Sequence, residues 1–129
     1  MERAIRIIAG DVVATAELNE TRTATAIWAA LPIEARGQTW GDEIYFGIGI
    51  QAEAEASKEV VALGDLAYWP PGSAFCIFFG PTPMSQGDEI RPASPVTLVG
   101  RVLGDATVFK KVPRGTRVRL ERHDKGAAR

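Results

Sequence analysis

Gly64-Asp65-Leu66-Ala67-Tyr68-Trp69-Pro70-Pro71-Gly72-Ser73-Ala74-Phe75-Cys76-Ile77-Phe78-Phe79-Gly80-Pro81-Thr82-Pro83 is the stretch that decides the fold. It reads as a strand from Leu66 to Trp69, a rigid Pro-Pro-Gly corner, an aromatic strand from Phe75 to Phe79 and a rigid Gly-Pro-Thr-Pro exit. Proline fixes φ at both corners and limits what the loops can do. An aromatic residue before proline favours the cis isomer, which makes Trp69-Pro70 a cis candidate. The apolar run Ala74 to Phe79, which no other in the chain exceeds, is too short to cross a bilayer.

Outward from this stretch, the pattern stays short and strand-like. Ile5 and Ile7 with their neighbours, then Val12 to Leu18, flank the tight turn Ala9-Gly10-Asp11. Ile33 to Arg36 is a strand entering the turn Gly37-Gln38-Thr39. Glu43 to Ile50 alternates, with Ile44, Phe46, Ile48 and Ile50 on one face and Glu43, Tyr45, Gly47 and Gly49 on the other. Two glycines on one face leave space for a ligand or a close backbone, or mark a bend in a barrel strand, and the bend is the favoured reading. Gln51 to Lys58 is polar and alanine-rich, a surface excursion. Val60 to Ala62 and Val96 to Leu103 are further strands, and Thr116 to Arg122 is a half-buried one with arginines outward. Strands this short, with turns this frequent, define an all-β sandwich or barrel.

One helix interrupts them, from Glu20 to Leu31. Asn19 is its expected N-cap and Pro32 its stop. Ala24, Ile27, Trp28 and Leu31 form one apolar stripe with Trp28 at its centre, and Arg22 lies almost opposite. If that helix plugs an open barrel end, Trp28 should supply a large share of the seal.

Composition bounds the chemistry. The chain has 129 residues, 46% hydrophobic and 24% charged, the balance of one folded domain. Residues 1–122 are expected to form that domain and residues 123–129 a flexible basic tail. Met1-Glu2-Arg3 leads into a strand-like pattern rather than a signal peptide, and the expected location is cytoplasmic, off the membrane. A single cysteine and a single histidine exclude an intrachain disulfide, multi-cysteine metal sites and His-x-x-x-His zinc chemistry. No metal and no cofactor are expected, and no phosphate-cradling glycine motif is present. The net charge of -1 hides an asymmetry: residues 1–108 hold 14 acids and 7 bases, residues 109–129 hold 2 acids and 8 bases. The basic end lacks the aromatics of nucleic-acid recognition, so no nucleic acid is expected. The asymmetry admits pairing between copies, a homo-oligomer, or pairing inside one fold.

Cys76 sits among Phe75, Ile77, Phe78 and Phe79, where apolar surroundings raise a thiol's pKa, and reads as inert core. Acidic residues gather on turns, at Asp42-Glu43, Asp65 and Asp88-Glu89. Two of them meeting at a barrel mouth would do acid–base work or hold a cation. Turn carboxylates bonded to their own backbone are the commoner case.

The long aromatic-proline stretch is one of four that carry a resemblance. The others are Asn19-Glu20-Thr21 ahead of Ala26-Ile27-Trp28, Thr39-Trp40-Gly41-Asp42-Glu43-Ile44-Tyr45-Phe46, and Glu89-Ile90-Arg91-Pro92-Ala93-Ser94. Together, over about residues 3 to 120, the chain resembles a small prokaryotic cyclophilin-like family. The resemblance implies a closed eight-stranded antiparallel β-barrel with helical elements at its ends. True cyclophilins carry Gly-Ser-Gln-Phe-Phe-Ile on their catalytic strand; Gly72-Ser73-Ala74-Phe75-Cys76-Ile77 is similar, with Ala74 for the glutamine and Cys76 for the second phenylalanine. The Phe-His-Arg segment that supplies the catalytic arginine of prolyl isomerases has no counterpart. The expected function is therefore a non-isomerase barrel that binds a small molecule or an extended peptide. The expected lining is Glu43, Tyr45, Tyr68, Trp69, Glu89 and Arg91: aromatics for apolar contact, Arg91 for an anion or a carbonyl. The alternatives are a weak prolyl isomerase using Phe75, and an enzyme related to cyclophilin-like amidohydrolase or carboxylase domains.

Overall fold

In the computed structural model, residues 3–123 are described, and nearly every ordered segment is a strand. The expected tail falls almost wholly outside these residues; His123 is the part inside, and its N–H donates to the Ala4 carbonyl at 2.9 Å. The strands are β1 (Ala4–Ala9), β2 (Val12–Leu18), β3 (Ile33–Arg36), β4 (Gln38–Thr39), β5 (Glu43–Gly47), β6 (Asp65–Trp69), β7 (Ala74–Phe78), β8 (Thr97–Val102) and β9 (Arg117–Arg122). They form one antiparallel sheet in the order β3-β9-β1-β2-β8-β6-β7-β5-β4. Its two edge strands, β3 and β4, are neighbours in sequence across Gly37. The chain itself thus nearly closes the barrel. Nine strands are present among the described residues where eight were expected, because the segment around Gly37 bends into two short strands that pair with different neighbours, β9 and β5.

Alternation fills the interior. Ile44, Ile77 and Leu66 lie abreast across β5, β7 and β6, and Phe46, Phe75 and Tyr68 form the next row. They join Ile5, Ile7, Val99, Val118 and Leu120 in one buried cluster. Phe46 and Phe75 tilt against each other with ring centroids 5.6 Å apart. The 310 helix Ala106–Lys111 adds the fully buried Phe109 to the same cluster. Residues Val60 to Ala62, expected as a strand, make only an isolated bridge between Val61 and Ile90.

Helix α1 (Arg22–Ala30) is shorter than expected, and its N-cap is Thr21, whose hydroxyl accepts from the Ala24 N–H at 3.0 Å. Asn19 stands one step outside: its side-chain oxygen accepts from the Thr21 N–H and hydroxyl, and its amide donates to the Leu98 carbonyl. The remaining first-turn amides donate to a distant carboxylate. Glu55, on the excursion between β5 and β6, accepts from the N–H groups of Arg22 and Thr23 and from the Thr23 hydroxyl at 2.8 to 3.1 Å. A negative group there offsets the helix dipole.

The helix buries Thr23, Ala24 and Ile27, so Ile27, not Trp28, is the centre of the seal. Trp28 is half-buried, with the Arg122 guanidinium stacked 4.4 Å from its ring centroid. Ile27→Ala is expected to cost about 2–5 kcal/mol, the range for a fully buried aliphatic side chain. The exposed Arg22→Ala should stay within about 0.5 kcal/mol. Urea midpoints of the two variants check this, and equal midpoints would contradict the packing. The cis peptide bond among the described residues is Leu31-Pro32, not Trp69-Pro70. Pro70 instead opens a 310 turn, Pro70–Gly72, with Trp69 extended before it. That is the position where a trans proline preorganises the turn.

Part of the basic C-terminal charge pairs inside the chain. On the outer side of β3, β9 and β1, Arg117 and Arg119 both donate to Glu34, and Arg119 and Arg6 both donate to Glu121. These arginines hold the Glu34 and Glu121 carboxyls below the usual carboxylate range. As an exposed network it screens the β3 and β9 edge rather than supplying much stability.

Candidate functional site

Strand β7 is buried on both faces. Inward, Phe75 and Ile77 enter the barrel; outward, Cys76 and Phe78 lie in a second apolar cluster with Ala67, Val61, Ile90 and Val96. The cover over this outer face is the segment between β7 and β8. Its start is tied to the barrel by the Phe79 N–H, which donates to Asp42 O at 2.9 Å, and its end to the excursion between β5 and β6 by a reciprocal backbone pair between Lys58 and Val96 at 2.8 and 3.0 Å. Its middle is held by Thr82, whose hydroxyl donates to the Arg91 carbonyl, and by Ser85, whose hydroxyl oxygen accepts from the Thr82 and Arg91 N–H groups. The cover comes very close at Gly41, where a Cβ would sit 2.8 Å from Pro83 Cδ and 2.9 Å from Thr82 Cα. Only glycine fits there, and its φ of +60° suits glycine as well.

Between the cover and the barrel wall is a cavity of about 250 Å³, lined by Trp40, Glu43, Tyr45, Trp69, Pro92, Ala93 and Val96. Antiparallel register explains the arrangement. Glu43 stands opposite Phe78, Tyr45 opposite Cys76, and Trp69 opposite Ala74, so β5, β7 and β6 all point these side chains outward. The Trp69 indole N–H donates to Ser94 Oγ at 2.7 Å, which ties the ring to the cover.

Glu43 is the chemically unusual member. The residue is only 6% exposed. Burial pushes its carboxyl up to about 7, against an opposing pull from the neighbouring Cys76 thiol. Cys76 is 1% exposed; burial first, then the adjacent Glu43, pushes its thiol well above the ordinary range. The thiol is therefore protonated and inert at neutral pH, in line with its apolar neighbours in sequence.

Of the six residues expected to line a site, the structure brings three together: Glu43, Tyr45 and Trp69. Tyr68 points the other way, into the barrel, where its hydroxyl donates to the Ile50 carbonyl at 2.6 Å and accepts from the Ala52 N–H at 3.2 Å. It neighbours Trp69 in sequence, and strand alternation puts it on the opposite face. Glu89 and Arg91 pair with each other on the cover: Arg91 Nε and Nη2 donate to the Glu89 carboxylate at 2.7 and 3.1 Å, and the guanidinium holds that carboxyl low. Neither lines the cavity. Trp40, Pro92, Ala93 and Val96 do line it and were not anticipated. Trp40 and Pro92 lie within stretches that carry the family resemblance, which was the available signal. Three of the turn carboxylates are engaged elsewhere: Asp65 accepts from the Ala62 N–H at 2.8 Å, Glu89 is held by Arg91, and Asp42 pairs with Lys110 at 3.7 Å. No cluster of three metal-ligating side chains occurs among the described residues. No helix among them is long and apolar enough to cross a membrane.

This arrangement of barrel, covered outer face and cavity has relatives. The family model described as Cyclophilin-like matches residues 3–121, nearly the whole chain. The chain belongs to the cyclophilin-like family. Its barrel is similar to the solution structure of the hypothetical protein AF2241 from Archaeoglobus fulgidus, at 44% identity over 95% of both chains with a TM-score of 0.80. No curated protein matches the chain. A cyclophilin-like barrel hosts more than one chemistry, so the fold assigns no activity, and the side chains of the cavity carry the functional question.

Proposed function

We propose that this cyclophilin-like chain is a non-isomerase binding barrel that takes a small ligand in the cavity over β5, β7 and β6. The observation that carries the reading is the convergence of Trp40, Tyr45 and Trp69 around one buried carboxyl, Glu43. Binding sites are concave, mostly apolar and furnished with a few placed polar groups. At about 250 Å³ the cavity suits a small molecule better than an extended peptide. Its wall is stiff, because the cover is pinned at both ends, so the space is preformed and little ordering cost attends binding.

Isomerase chemistry has little support. Prolyl isomerases of this fold rely on an arginine beside the substrate, and Arg91 on the cover is committed to Glu89. Ala74, at the glutamine position, offers no polar group. Removing preorganised electrostatic stabilisation removes most of the catalysis. In a proline-peptide isomerisation assay no rate above background is expected; robust turnover would overturn this part of the reading.

The binding part is tested with a fragment collection read by tryptophan fluorescence, followed by crystal soaking. Two of the three tryptophans line the cavity, so occupancy should change the signal. Fragments should settle against Trp69, and Ala93→Trp, a substitution at an exposed lining residue, should abolish their binding. Fragments lodged elsewhere, with Ala93→Trp binding them unchanged, would overturn the assignment.

A further inference from the structure

Resting on the binding reading above, we propose that the ligand is a small organic cation, an alkylammonium, whose charge pairs with Glu43 while its carbon chain lies against Trp40, Tyr45 and Trp69. None of the seven lining residues is a lysine, arginine or histidine. An anion entering the cavity would meet no positive partner. The cation on the cover, Arg91, is engaged by Glu89 at 2.7 Å and leans toward Glu59 at 3.8 Å. Above about pH 7 a neutral ligand would leave an ionised Glu43 unpaired in apolar surroundings, which is the costly arrangement for a buried charge. An ammonium removes that cost. Aromatic rings add to it, because a cation over a ring face is attracted by the ring quadrupole, and three aromatic residues border the space. The Trp69 N–H is already given to Ser94, so Trp69 offers the ligand its ring and not its donor.

The groups that face Glu43 are few. Strand β7 contributes the Cys76 thiol, protonated because burial pushes its pKa up. Its own strand contributes the Tyr45 phenol, and β6 contributes the Trp69 ring. The cover contributes Pro92, Ala93 and Val96, none ionisable. Asp42, the preceding residue, pairs with Lys110 at 3.7 Å. Glu43 is therefore the group that sets the charge of the cavity. Its carboxyl keeps a proton up to about pH 7, whereas pairing with an ammonium needs the carboxylate. Cation binding should then release a proton below neutrality and strengthen about tenfold between pH 6 and pH 8.

The experiment is calorimetric titration of the full chain with n-butylammonium and with its neutral isostere 1-butanol. It is run at pH 6 and pH 8, in buffers of differing ionisation enthalpy that count released protons. The expected result is tighter binding of butylammonium at pH 8, with proton release confined to pH 6. Glu43→Gln should weaken butylammonium about tenfold or more while leaving 1-butanol binding within about twofold. If 1-butanol binds as well as butylammonium and Glu43→Gln changes neither, the cation assignment falls and the cavity reading survives. If neither probe binds the wild type and fragments bind the cavity, the cation assignment falls alone. If nothing binds there at all, both fall.

Discussion

Glu43→Gln is expected to stabilise the folded chain at pH 8 by up to about 3 kcal/mol, with the gain vanishing toward pH 5. Burial pushes the Glu43 carboxyl up to about 7 in the folded chain, from an ordinary glutamate value of 4.5. Between those two values the folded state binds more protons than the unfolded state. Stability from this group is therefore complete at low pH, falls as pH rises through that window, and is gone above it. At pH 8 the wild type carries a buried carboxylate with no cation to meet it, and the neutral amide has no such burden. The surface carboxyls behave oppositely. Glu34, Glu55, Glu89, Asp105 and Glu121 are all held low by donors, so their contribution is present at neutral pH and lost on acidification. Comparing variant with wild type at each pH cancels those groups and isolates Glu43. Urea melts at pH 5, 6.5 and 8 give the measurement. A gain of the same size at every pH would mean that the carboxyl is not raised.

The second large effect is structural. Gly100→Ala should come out insoluble or with a sharply lowered urea midpoint. Gly100 lies within β8, opposite Leu18 of β2 and Leu66 of β6, beside the register shift between Leu66 and Ala67. A Cβ there would stand 2.2 Å from the Glu17 carbonyl oxygen and 3.0 Å from Leu18 Cα. Both are backbone atoms of the neighbouring strand, so no side chain can swing away to make room. Overpacking costs about 1–3 kcal/mol where neighbours yield, and here a whole strand must move, so the cost exceeds that range. A chain with only about 5–15 kcal/mol of stability has little margin for it. Arg101→Ala, at the exposed next residue, should stay within about 0.5 kcal/mol. Similar midpoints for the two variants would mean that β2 and β8 do not pair in this register.

The sequence was informative where periodicity acts and silent where chain crossings act. Ile44 and Phe46 alternate with Glu43 and Tyr45, and that alone places Glu43 and Tyr45 on one outer face. The Ala74–Phe79 run contains no polar alternation, which is the mark of a strand covered on both sides. What covers it, the residues from 79 to 96, has no period of its own and is held in its middle by irregular side-chain hydrogen bonds at Thr82 and Ser85. Periodicity cannot report such contacts, so the approach of Pro92, Ala93 and Val96 to Glu43 could not be read. Tyr68 and Trp69 looked equivalent as neighbouring aromatics, and strand alternation separated them onto opposite faces. Arg91 looked like a free ligand-binding cation because Glu89, two residues away, is in reach only through the geometry of the loop. At α1, the apolar stripe was legible but its centre was not. The barrel wall meets the helix over Ala24 and Ile27, which leaves Trp28 at the rim under Arg122.

The Glu43 carboxyl stands in an apolar, ligand-sized space on the outer face of the barrel. Carbon-13 NMR titration of the glutamate side-chain carboxyls, with Glu43 assigned by its absence in Glu43→Gln, measures this directly. One resonance is expected to titrate near pH 7 and to disappear from the set in that variant, while Glu34, Glu55, Glu89 and Glu121 titrate below the ordinary glutamate value. A Glu43 resonance titrating at about 4.5 would mean that the carboxyl is hydrated, and the account of the cavity would be wrong.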